Sequence, residues 1–246
     1  MIHQKSLEVC KAYLNCQCQC AEDAARKNQV RQQHPFVTIS RATGAGGITV
    51  GERLAQFLNE HDHEATCSWT VFDKDLVQTV LKEHNLPDFI GRYMPEDKKS
   101  EVEDFFEELF NLHPSEWSLV HKVSETIMHL AQMGECILVG RGANIITRKL
   151  PYGFHVRLTG TLKYRVHHIQ AYYQMGYEEA LRFVQNEDRG RKEYFKKHFA
   201  KEIDDPLFYD LTINTDSISY HFAARLIGKA VLDRRFQNKE EEAIEN

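Results

Sequence analysis

The segment from residue 36 to residue 58 constrains the fold of this chain more than any other part of the sequence. A short run of apolar and β-branched residues, Phe36–Ser40, is followed at once by a glycine-rich turn that ends at Gly47. Apolar side chains then recur at helical spacing at Val50, Leu54 and Leu58. We therefore predict a strand, a glycine-rich turn and a helix, which is the local context that a phosphate-binding loop requires. The glycines would serve equally well in a tight turn without a ligand, and this alternative stays open.

A turn of this kind can bind phosphate because glycines let backbone N–H groups approach the phosphate oxygens closely. The amino end of the following helix adds unpaired N–H donors and a favourable dipole. The hydroxyl of Thr49, in the first helical turn, can bind a phosphate or a magnesium ion held by the phosphates. The residues predicted to bind ATP phosphates are Ser40, Thr43, Gly44, Ala45, Gly46, Gly47, Ile48 and Thr49.

The turn departs from the strict phosphate-loop pattern G-x-x-x-x-G-K-[ST]. Arg41 stands at the first glycine of that pattern, Gly47 at the lysine and Ile48 at the following Ser/Thr. The lysine neutralises charge on the transferred phosphoryl group, so its loss requires another cation or leaves catalysis weak. Arg41 is the nearest candidate in the sequence for this role.

The rest of the chain alternates between short apolar runs and helical patterns. Further strands are predicted at Cys67–Phe72, Cys136–Val139, Phe154–Leu158 and Leu211–Asn214, with residues 75–133 mostly helical. Strands that alternate with helices predict an α/β fold with a parallel sheet covered on both faces. Ligands of such sheets bind at the carboxyl ends of the strands, where the glycine-rich turn lies.

Charge and composition exclude several classes of partner. The 246 residues carry a net charge of −5, which gives no reason to expect a nucleic-acid polymer. A local basic stretch from Arg182 to Lys201 holds seven Lys or Arg against three acidic residues, which suits a small anionic ligand or a solvated helix face. No apolar run reaches the length of a membrane span, and no secretory signal is seen. We therefore expect a cytoplasmic protein without a membrane partner.

Six cysteines are present, and three of them form the run Cys16, Cys18 and Cys20. Cytosolic thiols are normally reduced, so we expect no disulfide framework. On a helix, Cys16 and Cys20 would share a face and Cys18 would point away. Structural zinc sites normally use C-x₂₋₄-C pairs and four ligands, so we expect ordinary thiols in a mobile N-terminal helical extension, residues 1–35, rather than a metal site.

Four ordered motifs resemble those of the cytidylate kinase-like family. The first is the turn itself, Thr38–Arg41 with Gly44–Gly51, which resembles the I-S-R-x-x-G-x-G-G opening of the family. The others are Phe72–Leu76, Ile137–Ile146 and Pro206–Thr215, which resemble F/Y-D-K-E-L, I-V-G-R-G-A-N-x-I-L and D-P-x-x-Y-D-L-x-I-N-T. Residues 1–33 lie outside the resemblance.

The resemblance implies a P-loop nucleoside-monophosphate-kinase fold, a three-layer sandwich with a parallel sheet, over residues 36–246. A helical insert at about 74–132 would bind the phosphate acceptor, and a lid at about 182–207 would close over the reacting groups. The implied reaction is magnesium-dependent phosphoryl transfer from ATP to a nucleoside monophosphate, CMP or dCMP foremost. Nucleotides are thus the expected partners, in a monomer or a homodimer.

The motifs also imply roles for individual side chains. Arg41, Arg189 and Arg191 are the predicted catalytic cations, because developing charge on the transferred group needs positive donors. Asp73, Arg141 and Arg165 are the predicted acceptor-binding residues. Ordinary alternatives stay open: contacts to loop carbonyls for Arg141 and a helix N-cap for Asp73. For Arg165, Arg189 and Arg191 the alternative is solvation at the surface.

Cytidylate kinases carry D-G-R-D around the arginine that aligns with Arg141. Val139 and Gly142 stand here instead of the two acids, so the usual carboxylate support for magnesium is missing. Three alternatives therefore remain: a nucleotide-binding regulatory protein without turnover, a kinase of another small acceptor, and a metal or thiol sensor built on Cys16, Cys18 and Cys20.

Overall fold

A computed structural model describes residues 2–27, 34–73 and 117–245. The helices in this part of the chain are α1 (Ile2–Arg26), α2 (Gly47–His61), α3 (Trp117–Met133), α4 (Ala143–Ile146), α5 (Leu162–Tyr173), α6 (Tyr177–Phe199) and α7 (Tyr220–Glu245). The strands are β1 (Phe36–Arg41), β2 (Thr70–Phe72), β3 (Cys136–Val139), β4 (Gly153–Thr159) and β5 (Leu211–Asn214), with a 3₁₀ turn at Pro206–Phe208. Most of the predicted acceptor insert, residues 74–116, lies outside the described residues.

The strands form one sheet in the order β2-β3-β1-β4-β5. Every pairing is parallel, as the alternation of strands and helices predicts. The register pairs Ile39 with Val139, and Arg41 with Leu158, so the carboxyl ends of the three central strands meet at one edge. The predicted α/β fold is confirmed.

Helices cover both faces of the sheet and bury two separate apolar clusters. On one face, α2 and α7 pack against alternate strand residues such as Val37, Ile39 and Val156. On the other, α1, α3 and α4 pack against Phe36, Phe72 and Leu138. β3 is buried at every position because helices cover both faces of the sheet, and a strand in that setting needs apolar residues throughout, as Cys136–Val139 has. The layers are those of the predicted three-layer sandwich.

The first helix belongs to this core, which differs from the expectation of a mobile extension. Cys10, Tyr13 and Leu14 of α1 are at most 4% exposed. The Tyr13 hydroxyl donates a hydrogen bond to the carbonyl oxygen of Gly134, and its ring meets Phe72 edge-on. The sequence predicted that the segment is helical, but only packing shows that the helix covers the sheet.

The expectation of reduced cysteines is also wrong for two of the six. Cys16 on α1 and Cys67, in the loop before β2, form a disulfide across a sequence separation of 51 residues. Cys20 lies beside this disulfide, with its Sγ atom 4.0 Å from that of Cys67. The disulfide joins α1 covalently to the loop that leads into β2.

Helices α5 and α6 pair with each other around a small apolar cluster of their own, which includes Val166, Ile169, Ala180 and Val184. The predicted lid begins within α6, which is a continuous helix from Tyr177 to Phe199. The hairpin thus has an apolar cluster of its own, while Phe195 and Phe199 at the end of α6 join one of the two sheet clusters. In the described ranges, no helix combines the length and the apolar character that crossing a membrane demands.

Candidate functional site

The glycine-rich turn joins the end of β1 to the start of α2. Gly44 and Gly46 have φ angles of +80° and +78°, in the left-handed region that side chains other than glycine rarely adopt. A Cβ atom at Gly44 would overlap the carbonyl oxygen of Arg165, and one at Gly46 would overlap the Tyr220 ring. The glycines are therefore required by both conformation and close packing, and they direct the chain into the amino end of α2.

A cavity of about 300 Å³ lies at the carboxyl edge of the sheet, beside this turn. Its floor is formed by the ends of β1 and β3, and α6 forms its wall. Three guanidinium groups face it, those of Arg41, Arg141 and Arg191. The other lining residues are Ser40, Val139, Gly140, Gly142, Asn144, Asn186, Glu187, Gly190, Tyr194, Phe195 and Ile203. Such a concentration of cations in a concave site suits a ligand with several negative charges.

Arg41 is the cation at the centre of this arrangement. Its side chain runs past Gly47 and Gly140 so closely that a Cβ atom on either glycine would overlap it. Burial lowers the pKa of Arg41 to about 10, and the positive charges of Arg191, Arg141 and Arg157 add to this effect, with Asp73 opposing it. Arg41 remains protonated at neutral pH, and the surplus of positive charge around it would be relieved by a bound anion.

A second cavity of about 320 Å³ shares Arg41 and Arg191 with the first. It lies over the start of the glycine-rich turn and is lined mainly by charged side chains. Besides the shared arginines, the lining residues are Ala42, Arg157, Thr159, Arg165, Asp188, Lys192, Ile203 and Asp204. The two cavities form a continuous basic region that runs from the turn to the end of β3.

Asp188 of α6 connects the glycine-rich turn to the arginines. Its Oδ1 accepts hydrogen bonds from the backbone N–H of Thr43 at 2.8 Å and from the Thr43 hydroxyl at 2.6 Å. Arg165 donates to Oδ2 at 2.6 Å and to the Thr43 carbonyl oxygen at 3.0 Å. Arg191 contacts both Thr43 and Asp188. A carboxylate of α6 thus occupies two hydrogen-bond donors of the glycine-rich turn.

Arg157 on β4 is a site residue for which the sequence predicted no role. It is 8% exposed, and its two Nη atoms donate to Ser40 Oγ at 2.9 Å and to Asp204 Oδ1 at 2.7 Å. One signal could have identified it: a charged side chain inside a strand otherwise predicted to be buried on both faces. Asp188 lies in the acid and arginine run of the predicted lid, but nothing in the sequence shows that it reaches the turn.

The structure brings together part of the predicted set of arginines. Arg41, Arg141 and Arg191 meet at the first cavity, and Arg165 lies against the glycine-rich turn. Arg189, in contrast, is exposed, donates a hydrogen bond to Asn186 at 2.8 Å and lines neither cavity. Residues 189 and 191 point to different sides of α6 because consecutive helical positions are rotated by about 100°.

Arg141 is held at a sharp bend after β3. Gly140, Arg141 and Gly142 all have positive φ angles, 90°, 57° and 72°. Burial raises the pKa of Tyr194 on α6, while the charge of Arg141 and its hydrogen bond to Tyr194 oppose this shift. The bend therefore presents a guanidinium to the cavity from a strained backbone, which needs the flanking glycines.

The remaining predicted phosphate-binding residues differ in exposure. Ala45 is completely buried, Ile48 is 47% exposed and Thr49 is partly buried in the first turn of α2. Asp73 directly follows β2, and its charge reaches Arg41. In the described part of the chain, three or more side chains that could bind a metal come together only at a cysteine cluster, which lies away from this site. A magnesium ion here would therefore depend on ligand phosphates as well as on Thr49 or Asp73.

Comparison with known proteins places these features in a family. The model of the cytidylate kinase-like family matches residues 36–217. A solved structure of an uncharacterized protein from Eubacterium ventriosum is similar, with a TM-score of 0.63, 19% identity, and coverage of 82% of this chain and 99% of the other. A shikimate kinase from Bacteroides thetaiotaomicron gives a TM-score of 0.41 at 15% identity, covering 84% of this chain and 98% of the other. The search of curated proteins returned no match.

Proposed function

Because the chain belongs to the cytidylate kinase-like family, we propose that it transfers a phosphoryl group from ATP to a nucleoside monophosphate, with CMP or dCMP as the expected acceptor. The observation that carries the proposal is the set of three guanidinium groups facing one cavity beside the glycine-rich turn. Phosphoryl transfer depends on positioning and on cations that stabilise charge on the transferred group. This site offers both in a protein whose net charge is negative.

In this proposal, the turn from Thr43 to Thr49 binds the phosphates of ATP through backbone N–H groups. The position of this turn at the carboxyl end of β1 and the amino end of α2 supports the proposal, because unpaired N–H groups at a helix start favour an anion. Magnesium, when bound, would offset phosphate charge, and Thr49 and Asp73 are the residues proposed to assist in holding it. Arg41 takes the role of the missing lysine, because its side chain lies directly over Gly47.

The division of work among the other residues follows from their elements. Arg141, fixed at the end of a buried strand, is proposed to bind the acceptor phosphate bidentately. Arg191 lies in the predicted lid, on the part of α6 between the cluster shared with α5 and the residues Phe195 and Phe199 in the sheet core, and it is proposed to act on the transferred group when the lid closes. Arg165, which the sequence predicted to bind the acceptor, donates to Thr43 and Asp188 instead, and we propose that it holds them in register. Arg157 is proposed to hold Ser40.

A coupled assay of ADP release across CMP, dCMP, UMP, AMP and GMP tests this proposal. We expect CMP or dCMP to accelerate ADP release above the rate with ATP alone, and omission of magnesium to abolish the gain. Arg182→Ala removes a positive charge at an exposed position of α6, the helix that carries Arg191, and this control variant should retain turnover. No acceleration by any monophosphate would overturn the proposal.

A nucleotide-binding protein without turnover is the second candidate, and one observation favours it. The lysine of the strict phosphate-loop pattern is replaced by Gly47, and Val139 and Gly142 stand in place of the two acids, so the groups that usually support transfer rather than binding are absent from these positions. Equilibrium dialysis distinguishes the two candidates. ATP binding without ADP release in the coupled assay would support the binding protein.

A further inference from the structure

Three cysteine sulfurs converge at the edge of the sheet opposite to the basic cavities. Cys16 and Cys20 lie one turn apart on α1, and Cys67 lies in the loop before the amino end of β2. The three Sγ atoms lie within 4.8 Å of one another, and those of Cys20 and Cys67 are 4.0 Å apart. Cys67 is 5% exposed, whereas Cys16 and Cys20 are partly exposed, so solvent and ions can reach the cluster.

Contacts that do not involve sulfur hold the cluster together. Glu135 is completely buried at the start of β3 and accepts hydrogen bonds from the backbone N–H groups of Thr66 and Cys67 at 2.6 and 2.9 Å. The amide of Gln17, next to Cys16 on α1, donates to the same carboxylate at 3.0 Å. The Tyr13 hydroxyl binds the carbonyl oxygen of Gly134. These contacts between the helix, the loop and β3 are separate from the disulfide.

The disulfide between Cys16 and Cys67 leaves the third cysteine unexplained. A disulfide needs two sulfurs, yet Cys20 occupies the position one helical turn after Cys16, directly beside Cys67. Three thiolates around a metal at a Zn–S distance of about 2.3 Å lie about 3.8 Å from one another. The Cα atoms of Cys16 and Cys67 are 6.0 Å apart, so opening the disulfide lets both sulfurs reach such separations by side-chain rotation.

We propose that the reduced protein binds one thiophilic divalent ion of the Zn²⁺ type through Cys16, Cys20 and Cys67, and that the disulfide form does not. The residues are a different set from the run at 16–20, because Cys67 takes the place of Cys18. Thiolates favour ions of this softness over magnesium or calcium. The negative charge of Glu135, hydrogen-bonded to the Cys67 backbone, favours a cation at the cluster over three bare thiolates.

The chemistry balances without a further component. A phosphine reductant supplies two electrons that open the disulfide, two protons complete the thiols, and the phosphine becomes its oxide with an oxygen from water. Binding then exchanges three thiol protons for three metal–sulfur bonds, and a water molecule takes the fourth position. Metal affinity should therefore increase with pH.

Titration of Zn²⁺ into the full-length protein, in competition with a chromophoric chelator and without oxygen, tests the proposal. The phosphine-reduced protein should bind one equivalent, and the disulfide form should bind none at this site. Cys20→Ser is the decisive variant, because it keeps the Cys16–Cys67 disulfide yet should weaken Zn²⁺ binding at least tenfold. Cys18→Ser, on the same helix, is the matched control and should bind as the parent does.

Cd²⁺ provides a direct readout of ligation, because thiolate-to-metal charge transfer absorbs in the ultraviolet. The band should fall by about a third in each of Cys16→Ser, Cys20→Ser and Cys67→Ser, with circular dichroism reporting that the variants remain helical. Reduced parent protein that binds no Zn²⁺, or a Cys20→Ser variant that binds it undiminished, would overturn the proposal. Metal binding measures nothing of turnover, so this result is independent of the proposed kinase activity.

Discussion

Arg41 ends β1 with its side chain between Gly47 and Gly140, surrounded by other arginines. If it replaces the absent lysine, Arg41→Ala should lower kcat by about 10²-fold, or roughly 2.7 kcal/mol of transition-state stabilisation. Arg41→Lys, which keeps the charge, should recover part of the rate. Steady-state ADP release with the preferred monophosphate measures both. An Arg41→Ala enzyme with the parent kcat would assign the cationic role to another arginine.

Arg141 and Arg191 face the same cavity from different elements. Contacts that are uniform through the reaction alter KM, whereas contacts made only in the transition state alter kcat. Arg141→Ala should therefore raise the acceptor KM at least tenfold, and Arg191→Ala should lower kcat at least tenfold with little change in KM. Arg189→Ala should lower kcat less than Arg191→Ala does, because Arg189 is exposed and lines neither cavity. Equal effects of Arg141→Ala and Arg191→Ala would refute this division.

At the scale of elements, α6 is joined to the glycine-rich turn by the carboxylate of Asp188. In the proposed function the triphosphate of ATP binds at this turn, so it would have to displace the carboxylate and would be repelled by its charge. Asp188→Asn should therefore tighten ATP binding at least threefold, while lowering kcat because Arg165 and Arg191 lose their charged partner. Isothermal titration calorimetry measures the affinity.

Glu187→Gln is the control for Asp188→Asn, because it removes the neighbouring charge. Glu187 pairs with Arg191 at 3.2 Å, and its carboxylate is not the one that the Thr43 N–H binds. Its effect on ATP affinity should be smaller than that of Asp188→Asn. Weaker ATP binding in Asp188→Asn would show that the carboxylate assists the nucleotide rather than competing with it.

Helix α1 is attached to the sheet through the buried carboxylate of Glu135. Burial alone would raise the pKa of Glu135, but the hydrogen bond and charge of His34, together with the N–H groups of Thr66 and Cys67, hold it below its ordinary value. Glu135→Ala leaves these donors without an acceptor and should lower the free energy of unfolding by about 3 kcal/mol or more. Urea denaturation in reducing buffer measures this loss. Glu125→Ala, at a partly exposed position on α3, should cost under about 1 kcal/mol.

At the scale of the whole molecule, a buried histidine couples stability to pH. Burial lowers the pKa of His155 from 6.5 to about 4, with Asp210 opposing the shift and Arg234 and Arg148 adding to it. The unfolded chain therefore binds this proton between pH 6.5 and 4, and the folded chain does not. The free energy of unfolding should therefore be unaffected by this group above pH 6.5, and protonation of the unfolded chain should lower it by up to about 3 kcal/mol as the pH approaches 4.

Denaturant unfolding at a series of pH values checks this dependence. His155→Gln removes the titrating group and should flatten the slope between pH 4 and 6.5. His63→Gln, at an exposed position, should leave it unchanged. Glu135 adds a second pH dependence, at lower pH. Because its pKa lies below the ordinary value of 4.5, its contribution to the free energy of unfolding is lost only as the pH falls below about 4.5. An unaltered slope in His155→Gln would contradict the assignment.

The layered α/β architecture could be predicted from local patterns. Apolar runs such as Cys136–Val139 and the helical spacing after Gly47 are properties of neighbouring residues, and they dictate strands and helices wherever the chain folds. The glycine-rich turn likewise follows from residues within one short segment, since positive φ angles demand glycine at Gly44 and Gly46.

Tertiary structure alone decided the contacts that make the site and the cysteine cluster. Asp188 meets Thr43 across 145 residues, and Cys67 meets Cys16 across 51. Neither pair is visible in sequence, because periodicity reports which face of an element is buried but not which element covers it. Arg191 faces the cavities and Arg189 does not for the same reason: the rotation of α6 is set by its packing against α5 and the sheet, not by the charge of its residues.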